Sequence, residues 1–142
     1  MPVRRVLIDA GPLVALLNVR DPQHDLCNRT VQRIDPPLLT CWPPLVEASY
    51  LLRADRRATE RMMAMLQSDM IQLLTLGVDD LPGISGYLDR YADRGLQLAD
   101  ACLAHVAERE GLTTLFTLDR RDFAGLVLGD GRTLALLPDA GG

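Results

Sequence analysis

Four carboxylates stand where apolar neighbours should exclude them. Asp9 closes the run Val6-Leu7-Ile8, and Glu47 interrupts Pro43-Pro44-Leu45-Val46-Glu47-Ala48. Asp100 sits inside Leu98-Ala99-Asp100-Ala101-Cys102-Leu103-Ala104, and Asp119 follows Leu115-Phe116-Thr117-Leu118. An acid among buried neighbours is costly unless something positive satisfies it. Each alone has an ordinary role. Asp9 can cap a helix, Glu47 can answer a helix dipole, and Asp119 can start a turn. Asp100 is harder to dismiss, because alanine, cysteine and leucine surround it on several helical faces. Clustered carboxylates repel, and a hard divalent cation with oxygen ligands relieves that repulsion. Such an ion in an enzyme acidifies bound water and neutralises charge on phosphate.

The elements that must bring these acids together follow from periodicity and punctuation. Short apolar runs at 4–8, 38–41, 70–76, 113–117 and 133–137 read as strands. Helices are expected at 13–18, 24–34, 43–54, 57–68 and 98–110. Another is capped by Asp79 and Asp80 and runs to about 94, and a helical turn is expected at 120–124. Gly95 and Gly111 end the helices before them. Residues 138–142 form a tail. Alternating strands and helices predict a single 1–142 domain of α/β class, a three-layer α/β/α sandwich on a mainly parallel sheet of four or five strands. In such sheets the site lies beyond the carboxyl ends of the strands. Asp9 and Asp119 follow strands directly, and Glu47 and Asp100 are expected near helix N-termini.

Bulk properties narrow the class. The chain has 142 residues, enough for a sizeable core. Hydrophobic content of 48% and charged content of 24% are ordinary for a globular protein. No apolar run is long enough to span a bilayer, and the N-terminus lacks the apolar stretch of a secretory signal, so the expected location is cytoplasmic. Cys27, Cys41 and Cys102 form no CxxC pair and read as small buried hydrophobes. The net charge is -4, yet without the four acids the rest of the chain is neutral, which leaves room for a polyanionic substrate. All 15 basic residues are arginine, the better bidentate partner for phosphate. A GC-rich genome would explain that equally well.

The segments Leu7-Ile8-Asp9-Ala10-Gly11-Pro12-Leu13, Val46-Glu47, Leu98-Ala99-Asp100-Ala101 and Thr117-Leu118-Asp119-Arg120-Arg121-Asp122-Phe123 resemble, in order, the motifs of the PIN-domain family. The branch they most resemble is the VapC-type toxin ribonucleases of type II toxin–antitoxin systems. The resemblance covers essentially the whole chain. It implies a PIN-like fold and an Mg²⁺- or Mn²⁺-dependent endoribonuclease acting on single-stranded or loop RNA. It also implies products with 5′-phosphate and 3′-hydroxyl ends, a cognate antitoxin protein as inhibitor, and a homodimer. Asp9, Glu47, Asp100 and Asp119 fall on the family's acidic quartet, as catalytic and metal-binding residues. Thr117 and Asp122 fall on supporting positions. Ala10 departs from the many relatives that carry Ser or Thr there. Asp21-Pro22-Gln23-His24 fits an Asp-x-x-His pattern of one branch, although a cap and a surface histidine explain it as well.

Arg53, Arg56, Arg57 and Arg61 recur at i, i+3, i+4 and i+8 beyond Glu47, on one helical face or on two helices joined there. They can guide an RNA backbone or pair with Asp55 and Glu60. Arg120 and Arg121 flank Asp119 and are further candidate RNA contacts. Aromatic content is only 4%, and Trp42 and Tyr50 are expected in the core, as is the stripe Met62, Met63 and Met65. The alternative to an enzyme is a non-catalytic PIN-like module with a degenerate metal site, binding RNA or protein; Ala10 is the one feature that favours it. A metal-dependent phosphotransferase fits less well. It calls for a second Asp two residues after the first, where Gly11 stands, and for a lysine.

Overall fold

Val6, Leu7 and Ile8 form the first strand, β1, and all three side chains are buried. The structure, a computed structural model, describes residues 2–139. The remaining elements are α1 (Ala10–Leu17), α2 (His24–Val31), β2 (Leu38–Thr40), α3 (Trp42–Leu51), α4 (Arg56–Gln67) and β3 (Ile71–Leu73). A 3₁₀ turn (Val78–Asp80) then leads into α5 (Leu81–Arg90), and a second one (Ala92–Arg94) precedes α6 (Leu98–Glu110). β4 (Thr114–Phe116), α7 (Arg120–Phe123) and β5 (Ala135–Leu137) complete the order.

The five strands form one sheet in the order β3-β2-β1-β4-β5, parallel throughout. Side chains alternate across a strand. Leu7, Leu39 and Leu115 therefore face one core, filled by Ile84 and Tyr87 of α5 and the apolar side of α6. Val6, Ile8, Leu38, Ile71 and Phe116 face the other, filled from α1 to α4. The result is the expected three-layer α/β/α sandwich.

Several boundaries differ from expectation for physical reasons. Arg5 has φ 54, so the first strand starts at Val6 rather than at residue 4. Asp9 caps α1, which opens at Ala10 rather than at residue 13. The third strand shrinks to three residues, and the long helix to 94 divides at Tyr91 into α5 and the second 3₁₀ turn, ended by Gly95 at φ 71. Trp42 and Tyr50, expected in the core, are 49% and 62% exposed, because α3 turns that face to solvent. Of the methionine stripe, Met62 is buried and Met63 is exposed. All three cysteines are free and buried, and burial pushes the Cys27 thiol up to about 11 and the Cys41 thiol up to about 12. Residues 140–142 of the expected tail, and Met1, lie outside the described residues.

Candidate active site

The strand order reverses direction between β1 and β4: the chain builds outward to β2 and β3, then returns to the other side of β1. At such a switch point the flanking connections part and leave a crevice at the carboxyl ends of the strands. A cleft of about 340 Å³ lies there, lined by Asp9, Glu47, Asp100, Asp119 and Asp122, with no basic residue among its lining. The fold thus brings the four predicted acids to one place and adds Asp122 to them.

Asp9 follows β1, and its backbone N–H donates to Phe116 O at 2.9 Å, which locks the end of β1 against β4. Its carboxylate is held on both oxygens. Ala10 N–H donates to Oδ1 (2.7 Å), and the buried Thr117 hydroxyl donates to Oδ2 (2.8 Å). The first of these needs only a backbone, so alanine at position 10 leaves it intact. Thr117 Oγ1 also accepts from Asp119 N–H (3.0 Å), joining two of the acids through one hydroxyl. Asp100 is the third residue of α6, and its Oδ2 accepts from the Gln97 N–H at 3.1 Å in a capping-box arrangement. Asp119 caps α7, its Oδ1 accepting from Asp122 N–H.

Burial corrects one expectation. Asp9 and Asp100 are only 7% and 9% exposed, but Glu47 and Asp119 are exposed, at the rim rather than in the core. Glu47 also lies in the second turn of α3, not at its start. The inner acids feel the cleft most. Burial raises the Asp9 carboxyl, and Glu47 and Asp119 add to that against the hydrogen bonds from Thr117 and Ala10. Asp100 is pushed up to about 7, first by burial and then by the charges of Asp9 and Asp122, with the Gln97 N–H opposing. Asp122 is raised first by burial and then by Asp119.

This donor set suits a hard divalent ion: all oxygen, crowded, and without an internal counter-charge. Among the described residues, no three His, Cys, Asp or Glu side chains already converge closely enough to share one ion. Repelling carboxylates stay apart, and Mg²⁺ retains waters that can bridge such gaps.

The arginines divide. Arg57 and Arg61 line a groove between α1, α3 and α4 together with Arg20, and Leu51 forms a wall common to this groove and the acidic cleft. Arg53 stacks over Tyr50 at 4.1 Å, and Arg56 pairs with Glu60. Arg120 turns away to the Pro138 carbonyl (2.7 Å), into a separate depression, while the Arg121 charge bears on Asp122. Asp21 makes a local turn by accepting from Gln23 N–H, and His24 Nδ1 donates to Ala15 O at 2.7 Å, tying α2 to α1. Neither lines the acidic cleft. Sequence reasoning missed Arg94, whose guanidinium binds the backbone of the α7 turn. No spacing announces an arginine that bonds to main-chain carbonyls 27 residues away.

A parallel five-stranded α/β/α sandwich with an acid-lined crevice at its switch point places oxygen donors where open α/β sheets bind their ligands. The PIN domain family model matches residues 6–126, and the chain belongs to the PIN-domain family. It is 26% identical over 131 residues to Ribonuclease VapC26 of Mycobacterium tuberculosis, covering 89% of this chain and 96% of that one. Among solved structures it is similar to M. tuberculosis VapC20, a sarcin-ricin loop cleaving toxin. That match has a TM-score of 0.76 and 22% identity, over 86% of this chain and 96% of that one. A toxin-antitoxin complex from Klebsiella pneumoniae matches with a TM-score of 0.68 and 19% identity, over 85% and 92% of the two chains.

Proposed function

We propose that this protein is an Mg²⁺- or Mn²⁺-dependent endoribonuclease that cuts a phosphodiester bond in single-stranded or loop RNA, acting as the toxin of a toxin–antitoxin pair. The observation that carries the reading is the cleft of five carboxylates with no basic side chain in its lining, at the switch point of a PIN domain. The ribonuclease relative supports the reaction class, and the solved toxin-antitoxin complex supports a protein antitoxin as partner. Asp9, Asp100 and Asp119 would hold the ion, directly or through water. Glu47, at the rim, would hold a second ion or accept the proton of the attacking water. When bound, the ion supplies an acidified water and neutralises charge developing on the phosphate.

The chain's own residues do the rest. Thr117 and the Ala10 N–H hold the Asp9 carboxylate in one orientation, and the Gln97 N–H fixes that of Asp100. The groove lined by Arg20, Arg57 and Arg61 would lead the RNA backbone past Leu51 to the acids. In a Mn²⁺-supplemented cleavage assay on structured RNAs, wild type is expected to cut and Asp100→Ala to lose activity by at least about 100-fold. Cleavage that survives both Asp9→Ala and Asp100→Ala would remove the site assignment.

A further inference from the structure

The least self-sufficient part of the acidic cleft is the segment that carries two of its five carboxylates. Asp119 and Asp122 belong to α7, a four-residue helix. A helix of one turn cannot sustain itself, and beyond the Arg120 carbonyl, which accepts from the Ala124 N–H, its carbonyls lack intrahelical partners. Arg94 supplies those partners: its Nη2 lies 2.9, 3.0 and 3.1 Å from the carbonyl oxygens of Arg121, Asp122 and Ala124. The guanidinium rests over the Tyr91 ring at 5.4 Å. The Tyr91 hydroxyl donates to Val127 O (2.9 Å) and accepts from Val127 N–H (2.8 Å), so a second tie grips the chain just beyond. Arg94 precedes Gly95 on the approach to α6. One end of its tie is the lead-in to Asp100, and the other is the backbone of Asp122.

We propose that Arg94 is a positioning residue. It ties α7 to the entry of α6 and thereby sets Asp119 and Asp122 at a fixed distance from Asp100. It does not itself line the cleft. This inference rests on the metal-dependent nuclease reading above.

The test compares full-length wild type, Arg94→Gln, Arg94→Lys and Tyr91→Phe. Three quantities are measured: Mn²⁺ affinity by calorimetry, amide exchange over residues 119–124, and cleavage as separate kcat and KM. Arg94→Gln is expected to bind Mn²⁺ about tenfold more weakly, in the range seen when a partner that orients a metal ligand is lost. Amide exchange over 119–124 is expected to quicken, and kcat to fall with KM for RNA unchanged. Arg94→Lys, which keeps charge and donors but not the planar fork, is expected between the two. Tyr91→Phe keeps the ring under Arg94 and loses only the Val127 bonds, so it is expected to lower the melting temperature and leave Mn²⁺ affinity unchanged. Mn²⁺ affinity and exchange in Arg94→Gln and Arg94→Lys equal to wild type would overturn the inference alone. So would a rise in KM with kcat unchanged, or an equal loss of Mn²⁺ affinity in Tyr91→Phe. A wild-type protein that neither binds Mn²⁺ nor cleaves RNA would overturn the nuclease reading, and the inference with it.

Discussion

Thr117 does more for the acidic cleft than its single hydroxyl suggests. It donates to Asp9 and accepts from the Asp119 N–H while fully buried. Thr117→Val keeps the shape and removes both bonds, leaving a polar gap that costs about 1–3 kcal/mol. Urea unfolding should register that loss, and cleavage should fall with it, while Thr117→Ser should retain both. Asp100 makes a prediction of opposite sign. Burial, ahead of the neighbouring charges, pushes its carboxyl from the ordinary 3.8 up to about 7 in the fold. Between those values the folded protein holds a proton that the unfolded chain has released. Metal-free stability contributed by this group therefore falls as pH rises from about 4 to about 7, then stays level. Asp100→Asn should flatten that part of the curve and raise the metal-free melting temperature at pH 8. Added Mn²⁺ should stabilise wild type at pH 8 much more than at pH 5, and should scarcely move Asp100→Asn. Melts at the two pH values, with and without Mn²⁺, decide it.

Among the elements, α5 and α6 pack together against one face of the sheet. Asp80, just before α5, accepts from His105 Nε2 (2.8 Å), Arg109 Nη1 (3.0 Å) and, through its other oxygen, Gly77 N–H (2.7 Å). The Gly77 N–H, with His105 and Arg109, holds that carboxyl far below the usual carboxylate range. Gly83 lets the latch close, since a Cβ there would stand 2.3 Å from His105 Nδ1. Gly83→Ala should therefore displace His105 and destabilise the fold by about 1–3 kcal/mol. Thermal melts should show the loss, with Mn²⁺ affinity unchanged, because none of these residues lines the cleft. On the opposite layer, α3 and α4 meet at Asp55, which caps α4 by accepting from Arg57 N–H. Arg53 thus lies in the turn that joins the two helices and Arg56 and Arg57 open α4, so the arginines do not share one continuous helical face.

At the scale of the whole molecule, an acidic cleft without arginine lies beside a groove whose arginines outnumber its one acid, Asp55, which pairs with Arg61. The acidic cleft and the groove with Arg20, Arg57 and Arg61 share the wall at Leu51. Polyanion binding by such a groove weakens with salt, by a log–log slope of about 0.7 for each single-strand phosphate neutralised. KM for RNA should accordingly rise with NaCl while kcat holds. A combined Arg20→Gln and Arg57→Gln variant should bind more weakly and show a shallower slope. A KM indifferent to salt would remove these arginines from the RNA path. No helix among the described residues is long and apolar enough to cross a membrane.

Asp9, Asp100 and Asp119 could be picked from the sequence because an acid in an apolar run is conspicuous at any fold. The alternation of strands and helices likewise determined the layers, since apolar periodicity reports which face each element must bury. Tertiary structure decided what periodicity does not encode. The strand order set the crevice between β1 and β4. It put Asp9 and Asp100 inside and left Glu47 and Asp119 at the rim. It brought Asp122 into the acidic group and turned Arg120 out of it. It also joined Arg94 to backbone carbonyls that no side-chain pattern marks. The physical reason is the same in each case. Burial and periodicity are local properties of a segment, whereas distance between charges depends on how segments far apart in the chain are stacked.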